Sequence, residues 1–248
     1  MAVSAFVNRS LAAALVAVFA APSAHAQDPQ PAPPKPYTAI KVTPPQPYGD
    51  ASFATFRKDL AGIATAKDRG ALAKVVATNF FWLGENGDRA DKKKPAIENL
   101  AAALGLDDKD GFGWQAITAA AMEQTLEEAP DRKGVMCGPA GPDFDEAAAK
   151  KVTESTGTDL SEYGYVTAAS AEVRDAPKAS AAVVDKLGQI LVRLLPQEKP
   201  GGEPFFRVVT PAGKTGFVSA EAVSLLAIDQ LCYVKDGGSW KIAGYAGD

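Results

Sequence analysis

Residues 171–218 read AEVRDAPKASAAVVDKLGQILVRLLPQEKPGGEPFFRVVTPAGKTGFV, and this stretch decides the fold of the C-terminal half. Short runs rich in valine, leucine and phenylalanine recur in it, separated by turns that carry proline or glycine. Such runs favour strands, and proline and glycine end them. We predict strands at 171–174, 183–187, 190–195, 205–209 and 214–218. Five short strands at this spacing are typical of a small barrel.

The residues before the barrel follow a helical period. Apolar side chains recur at three- and four-residue steps, which gives each helix one buried face. Five helices are predicted, beginning near Ser52, Asp68, Ile97, Trp114 and Asp143. Between the second and third helices, the apolar run at 80–83 stops at a Gly-Glu-Asn-Gly turn and predicts a strand.

The chain ends in a predicted hairpin. Two apolar runs, 231–235 and 240–245, flank the turn sequence DGGS at 236–239. An isolated hairpin is only marginally stable in water, so we expect it to pair near Phe80–Leu83. The barrel is then an insertion. The predicted fold class is α+β, with a helical region over 51–164 that carries a short strand, a barrel over 165–227 and the hairpin over 228–248.

Several motifs of the barrel segment follow a known order. The sequence EVRDAP at 172–177 resembles the opening V-R-x-x-P of bacterial SH3 (SH3b) domains, and VVDKLG at 183–188 resembles their second strand. FRVV at 206–209 and GKTGFV at 213–218 resemble the closing W-x-x-V and G-x-x-G-[WYF]-[VI], with Phe206 where tryptophan is commoner. The flanks, including the terminal sequence DGGSWKI at 236–242, resemble secreted bacterial proteins that pair a helical region with an SH3b barrel.

The resemblance implies a binding module. SH3b domains commonly contact peptides or peptidoglycan, so the expected partner is a cell-wall peptide or another envelope protein. Tyr165, Phe206 and Phe217 would supply flat apolar contacts on the barrel surface, although each is also a candidate for the barrel core.

The alternative is a pocket for a small ligand, or a degenerate enzyme pocket. The helices and strands also resemble the NTF2-like cone, which would place this pocket between the helical region and the terminal hairpin. Phe80, Trp82, Trp114 and Trp240 would line it, unless they belong to the core.

The N-terminus has the pattern of an export signal. Arg9 precedes an apolar run from Leu11 to Ala21 and an A-x-A site at 24–26, so residues 1–26 are predicted as a signal peptide. The run is shorter than the ~20 residues that span a bilayer. Residues 27–50 hold eight prolines and are predicted as an extended linker, either a spacer or a ligand for a PxxP-binding domain. The expected location is the periplasm or the exterior, and no transmembrane segment remains after cleavage.

The chemistry of the chain predicts a protein that is not an enzyme. The single histidine, His25, leaves with the signal, so mechanisms that need a histidine base are excluded. The net charge of −4 gives no basic surface for nucleic acid. Two short motifs do not change this prediction. Lys-Thr-Gly at 214–216 lacks the Ser-x-x-Lys partner of penicillin-binding enzymes, and the DDKDG loop at 107–111 lacks calcium ligands at the outer positions. No catalytic residue, cofactor or metal is predicted.

Cys137 and Cys232 are the two cysteines of the chain. Disulfides form and persist after export, and the predicted return of the hairpin would bring both cysteines to the seam with the helical region. We therefore predict a disulfide between them. The alternative is a pair of buried free thiols.

Overall fold

The structure is a computed structural model that describes residues 34–196 and 204–247. All of these belong to one compact unit, Pro34–Asp248. The predicted signal peptide and the first part of the proline-rich segment, 27–33, lie outside the described residues. Within the described part of the chain, no helix is long and apolar enough to span a membrane.

The described residues form five α-helices and fifteen strands, which confirms the α+β class. The helices are α1 (Ala51–Ala66), α2 (Arg69–Lys74), α3 (Ala96–Leu104), α4 (Phe112–Met122) and α5 (Glu146–Thr156). The strands are β1 (Val42–Thr43), β2 (Val76–Gly84), β3 (Gly87–Asp88), β4 (Glu127–Glu128), β5 (Val135–Gly138), β6 (Asp143–Phe144), β7 (Tyr163–Val166), β8 (Ala171–Arg174), β9 (Val183–Leu187), β10 (Leu191–Leu195), β11 (Phe205–Val209), β12 (Thr215–Ser219), β13 (Val223–Leu225), β14 (Gln230–Asp236) and β15 (Ser239–Ala246).

The first sheet has six strands in the order β3-β2-β15-β14-β5-β4. β15 runs parallel to β2, with Gly244 opposite Phe81 and Tyr245 opposite Trp82. The C-terminal hairpin thus lies at the centre of this sheet, and it pairs with the strand that contains Phe80–Leu83, as its apolar residues led us to expect. Gly237 and Gly238 both have positive φ in its turn, a conformation that glycine adopts without strain.

Helices α1, α3 and α4 pack on the first sheet and form the larger core. α1 buries Phe53, Phe56, Leu60 and Ala64 at three- and four-residue steps. Its N-cap is Asp50 rather than the predicted Ser52: the Asp50 carboxylate accepts a hydrogen bond from the Ser52 N–H at 2.7 Å. An aspartate at this position satisfies a helix N–H that would otherwise lack a partner.

The second sheet has seven strands in the order β13-β7-β10-β11-β12-β8-β9. Five of them, β8 to β12, match the predicted strands to within one residue at each end, whereas β7 and β13 were not predicted. One core cluster takes valine, alanine or leucine side chains from all seven strands, so the sheet curls around that core. β13 and β9 remain as its edges among the described residues, and the sheet is not closed there.

Two features differ from the predicted domain plan. α5 lies in the predicted helical region, yet its Ala149 and Val152 pack against the second sheet. β7, which begins within the predicted helical region, is also a strand of that sheet. Asp143 pairs in β6 instead of starting the helix, and Asp145 is the cap.

The described part of the proline-rich segment, residues 34–50, is not a free spacer. Tyr37, Ile40 and Val42 are buried against the second sheet. The Tyr37 hydroxyl donates to the carbonyl oxygen of Val209 at 2.8 Å. Proline restricts the backbone here, but the apolar side chains between the prolines can still be buried. The free energy gained by their burial favours packing on the sheet over a solvated, extended linker.

Candidate functional site

The predicted ligand-binding aromatics do not converge on one surface. Tyr165 is buried with Tyr163 in the core under α5, and burial raises the pKa of its phenol. Phe206 and Phe217 are half-buried on neighbouring strands. Phe217 lies opposite Arg207, the residue after Phe206, so the two phenylalanines are on opposite faces of the sheet. Tyr165 is thus unsuited to a surface site, because its ring is already enclosed.

Phe206 does line an open groove. The groove also includes Glu162, Leu194, Leu195 and Pro196 and has a volume of about 540 Å³. It lies beside the second sheet and is shallow and mainly apolar. Phe206 is the one predicted aromatic that this groove exposes to a partner.

The four aromatic residues expected to line a ligand pocket lie elsewhere. Phe80, Trp114 and Trp240 are buried in the core of the first sheet, and Trp82 packs against that core beneath the Arg89 guanidinium, 4.2 Å from its ring. Trp240 donates through its indole N–H to the Ser52 hydroxyl, which holds the hairpin against the start of α1. Of the two alternatives from the sequence, a pocket lining or the core, these four residues follow the second: three belong to the core and Trp82 packs against it.

A cavity of about 300 Å³ does lie between the helices and the terminal hairpin. It is built from α3, α4, the end of β5, the chain before β14, and the hairpin itself. Its lining residues are Leu104, Ala116, Ala119, Ala120, Glu123, Gly138, Pro139, Ile228, Asp229, Leu231 and Tyr245. Apart from Glu123, Asp229 and the Tyr245 hydroxyl, these side chains are apolar, and Gly138 has no side chain.

Small residues on α4 create the space. Ala116, Ala119 and Ala120 lie on one helix face, because residues three and four apart are neighbours on a helix. Trp114 and Ile117 point into the core instead and fill it. The alanine face forms one wall of the cavity, with Leu231 of β14 and Tyr245 of β15 also in the lining, and Ala116 and Ala119 are exposed.

The mouth of the cavity forms where the chain leaves the first sheet and returns to it. Gly138 and Pro139 begin the outward crossing, and Ile228 and Asp229 end the return. Gly138 is required here, since a Cβ atom would lie 2.6 Å from the Thr125 carbonyl oxygen. Gln230 connects the outgoing and the returning segment, because its side-chain amide donates a hydrogen bond to the Pro139 carbonyl oxygen at 2.8 Å.

Polar groups at the mouth are held by hydrogen bonds. The Tyr245 hydroxyl donates to Oδ2 of Asp229 at 2.5 Å. Oε1 of Glu123 accepts from the N–H groups of Gln124 and Thr125 and from the Thr125 hydroxyl. Both carboxylates are therefore fixed in position at the ends of the apolar lining.

Arg57 approaches this region from α1 and does not line the cavity. Its guanidinium donates to the carbonyl oxygens of Met122, at 3.1 Å, and Glu123. These carbonyls end α4 and have no partner within the helix, so Arg57 acts as a C-terminal cap. Burial raises the pKa of the nearby Tyr233, and the negative charge of Glu123 raises it further, so this phenol stays neutral.

The predicted cysteine pair lies next to the mouth. Cys137 and Cys232 are directly opposite each other on β5 and β14, with sulfur atoms at the bonding distance of 2.03 Å. Both are buried, and the bond between their sulfur atoms decides against the alternative of two buried free thiols. In the described ranges, no group of three or more His, Cys, Asp or Glu side chains could hold a metal.

Comparisons with known proteins do not place the chain in a family. No family model matches the sequence, and no curated protein matches it. A solved structure from Xanthomonas campestris, described as a calcium/calmodulin dependent protein kinase II association domain, matches at 10% identity over 85% of this chain and 93% of that chain. Its TM-score of 0.25 is too low for that likeness to support a fold or a function.

Proposed function

We propose that this protein is an exported, non-enzymatic binding protein that holds a small, mainly apolar ligand between α4 and the C-terminal hairpin. The observation that carries the proposal is the cavity of about 300 Å³ with its alanine wall. Concave, mainly apolar sites with a few fixed polar groups are the usual form of small-molecule sites. Helices packed on one face of a six-stranded sheet, with a pocket between them, also fit the NTF2-like resemblance.

The lining supports binding rather than catalysis. Among the described residues, it contains no serine, threonine, cysteine, histidine or lysine side chain. The proton-transferring groups on it are Glu123, Asp229 and Tyr245, and the one hydroxyl described as donating to Glu123, that of Thr125, does not line the cavity. The export pattern of residues 1–26 and the cysteine pair support a location in the periplasm or outside the cell.

The proposal is tested by filling the cavity. Ala119→Leu places a larger side chain on the alanine wall, and Gln115→Leu adds a leucine at an exposed position of the same helix that does not line the cavity. The full chain should give a calorimetric heat signal on titration with 1-octanol, a neutral probe small enough for a cavity of about 300 Å³. Ala119→Leu should lose this signal at least five-fold, and Gln115→Leu should keep it. Equal signals from all three proteins would refute the proposal.

We propose a second candidate function for the second sheet: an SH3b-like module that binds cell-wall peptide. The apolar groove lined by Phe206, Leu194, Leu195 and Pro196 favours it. The curled sheet, with a core drawn from all seven strands, also fits the SH3b resemblance. An open apolar groove with an aromatic side chain offers a large contact area at low entropic cost.

Co-sedimentation with purified peptidoglycan tests this second function. The full chain is compared with Phe206→Ser and with Phe112→Ser, which makes the same change at a phenylalanine that is 66% exposed on α4. Circular dichroism first establishes that each variant is folded. Loss of sedimentation in Phe206→Ser alone supports binding through the groove, and no sedimentation of the unaltered chain contradicts it.

A further inference from the structure

We infer that the cavity selects a ligand with a protonated amine at one end of a short apolar body. This inference rests on the proposed function of the cavity. It comes from the signs of the charges at the mouth and from the balance of hydrogen-bond donors and acceptors on the lining.

The charged residues that line the cavity are both acidic. Glu123 is at the end of α4, and Asp229 is on the returning chain. In the part of the chain that the structure describes, neither lysine nor arginine contributes to the lining. In a partly enclosed site with an apolar wall, charges act at a lower effective dielectric constant than in water, so two carboxylates favour a cation and disfavour an anion.

The donors nearest the mouth are already used. The Tyr245 hydroxyl donates to Asp229, and the Gln230 amide donates to Glu127 and to the Pro139 carbonyl. Pro139 itself has no N–H group. The second oxygen of each carboxylate, Oδ1 of Asp229 and Oε2 of Glu123, accepts none of these described hydrogen bonds, and such acceptors complement an ammonium group with its three N–H bonds.

The nearest guanidinium group, that of Arg57, does not reverse the excess of negative charge on the lining. Arg57 directs its described hydrogen bonds at the backbone carbonyls that end α4, outside the lining. Asp229 keeps one carboxylate oxygen, Oδ1, outside its bond with Tyr245. Asp229 is also exposed at the mouth, where a ligand head group would pass.

The volume sets the size of the ligand. At roughly 30 Å³ of liquid volume for each water-sized group, 300 Å³ holds about ten non-hydrogen atoms. An alkyl chain of eight carbons with one terminal polar atom is close to this size. Three probes of equal length therefore separate charge from apolar contact: n-octylammonium, 1-octanol and octanoate.

The experiment measures the affinity of each probe for the full chain by calorimetry, below the concentration at which the probe aggregates. We expect n-octylammonium to bind at least ten-fold more tightly than octanoate, with 1-octanol between them. Asp229→Asn should reduce the affinity for n-octylammonium five-fold or more and leave that for 1-octanol within two-fold. Asp59→Asn, at an exposed position of α1 away from the cavity, is the matched control and should change neither affinity.

The outcomes separate the inference from the proposed function. Tight binding of 1-octanol that Ala119→Leu abolishes, together with equal affinities for the two charged probes, would overturn charge selection and leave the ligand site intact. A higher affinity for octanoate than for n-octylammonium would likewise overturn charge selection and leave the ligand site intact. If none of the three probes binds, the proposed function fails, and the inference fails with it. Glu123→Gln provides a second test, because it also should weaken n-octylammonium binding selectively.

Discussion

Reduction of the Cys137–Cys232 bond should lower the free energy of unfolding by about 4 to 5 kcal/mol. The cysteines are 95 residues apart, and the chain between them includes α5 and the whole second sheet. The cross-link therefore closes a long loop in the unfolded chain.

The magnitude follows from the entropy of that loop. A cross-link over a loop of about 100 residues removes roughly 4.7 kcal/mol of unfolded-state entropy at 25 °C. Typical domains have a total stability of about 5–15 kcal/mol, so the effect is a large part of the whole. In the reduced protein, both thiols stay buried between β5 and β14, so the packing of the folded state changes little.

The assay is urea unfolding of the same chain with and without a phosphine reductant. Trp82, Trp114 and Trp240 all pack in the first core and report its unfolding by fluorescence, while far-ultraviolet circular dichroism reports both sheets. The double variant Cys137→Ala, Cys232→Ala is the control, and its stability should not respond to the reductant. A difference below 1 kcal/mol between oxidised and reduced protein would refute the loop argument. Two alkylatable thiols in the non-reduced protein would refute the disulfide itself.

Three further predictions concern other parts of the fold. Gly244→Ala should lower the free energy of unfolding in urea by about 1–3 kcal/mol, because the new Cβ would lie 2.4 Å from the Phe81 ring of β2. Gly188→Ala is the control: it has open space around it and should change the stability by less than about 0.5 kcal/mol. Tyr37→Phe should cost about 1–3 kcal/mol in the same assay, since a buried carbonyl oxygen of β11 loses its donor; an unchanged midpoint would mean that the segment before α1 does not stabilise the fold. Hydrogen bonds from Ser52 and Lys235 lower the pKa of Asp50 from 3.8 to about 2, so this carboxylate stabilises the fold above about pH 4 and loses that effect as the pH falls toward 2. Asp50→Asn should therefore be less stable at pH 7 and lose less stability than the unaltered chain between pH 4 and 2, as measured by thermal unfolding at each pH.

The secondary structure was largely predictable because its signals are local. The strands of the second sheet are bounded by proline and glycine, and α3 and α5 end at Gly105 and Gly157, which have the positive φ that ends many helices. The place of the terminal hairpin followed from apolar content alone. These predictions depend on a few neighbouring residues and on the need to bury them.

The proline-rich segment shows where local signals mislead. Its prolines predict a solvated linker, and that prediction considers only the backbone. Tyr37, Ile40 and Val42 are too few to form a hydrophobic period, yet each is buried against the second sheet. Their contribution becomes visible only when the surface that receives them is known.

A pocket between the helical region and the hairpin was one alternative from the sequence, but its lining could not be predicted, because aromatic residues give the same signal whether they line a pocket or fill a core. Phe80, Trp114 and Trp240 fill the core. The actual wall consists of alanines, and an alanine on a helix face indicates a void only if the opposing strands stay at a distance. That distance is set by the larger side chains around it, which belong to other elements.

The cavity, the insertion and the disulfide meet at one end of the β5–β14 pair. These strands are adjacent and antiparallel, so a short turn could join them; instead, the chain from 139 to 229 leaves and returns at this point. Pro139 and Asp229, at the two ends of that insertion, both line the cavity. Cys137 in β5 and Cys232 in β14 lie next to the two ends of the insertion, and the bond between them links these two strands covalently. A short turn would remove the return segment that carries Asp229, and with it the carboxylate at the mouth, so the insertion supplies part of the candidate site as well as a second sheet.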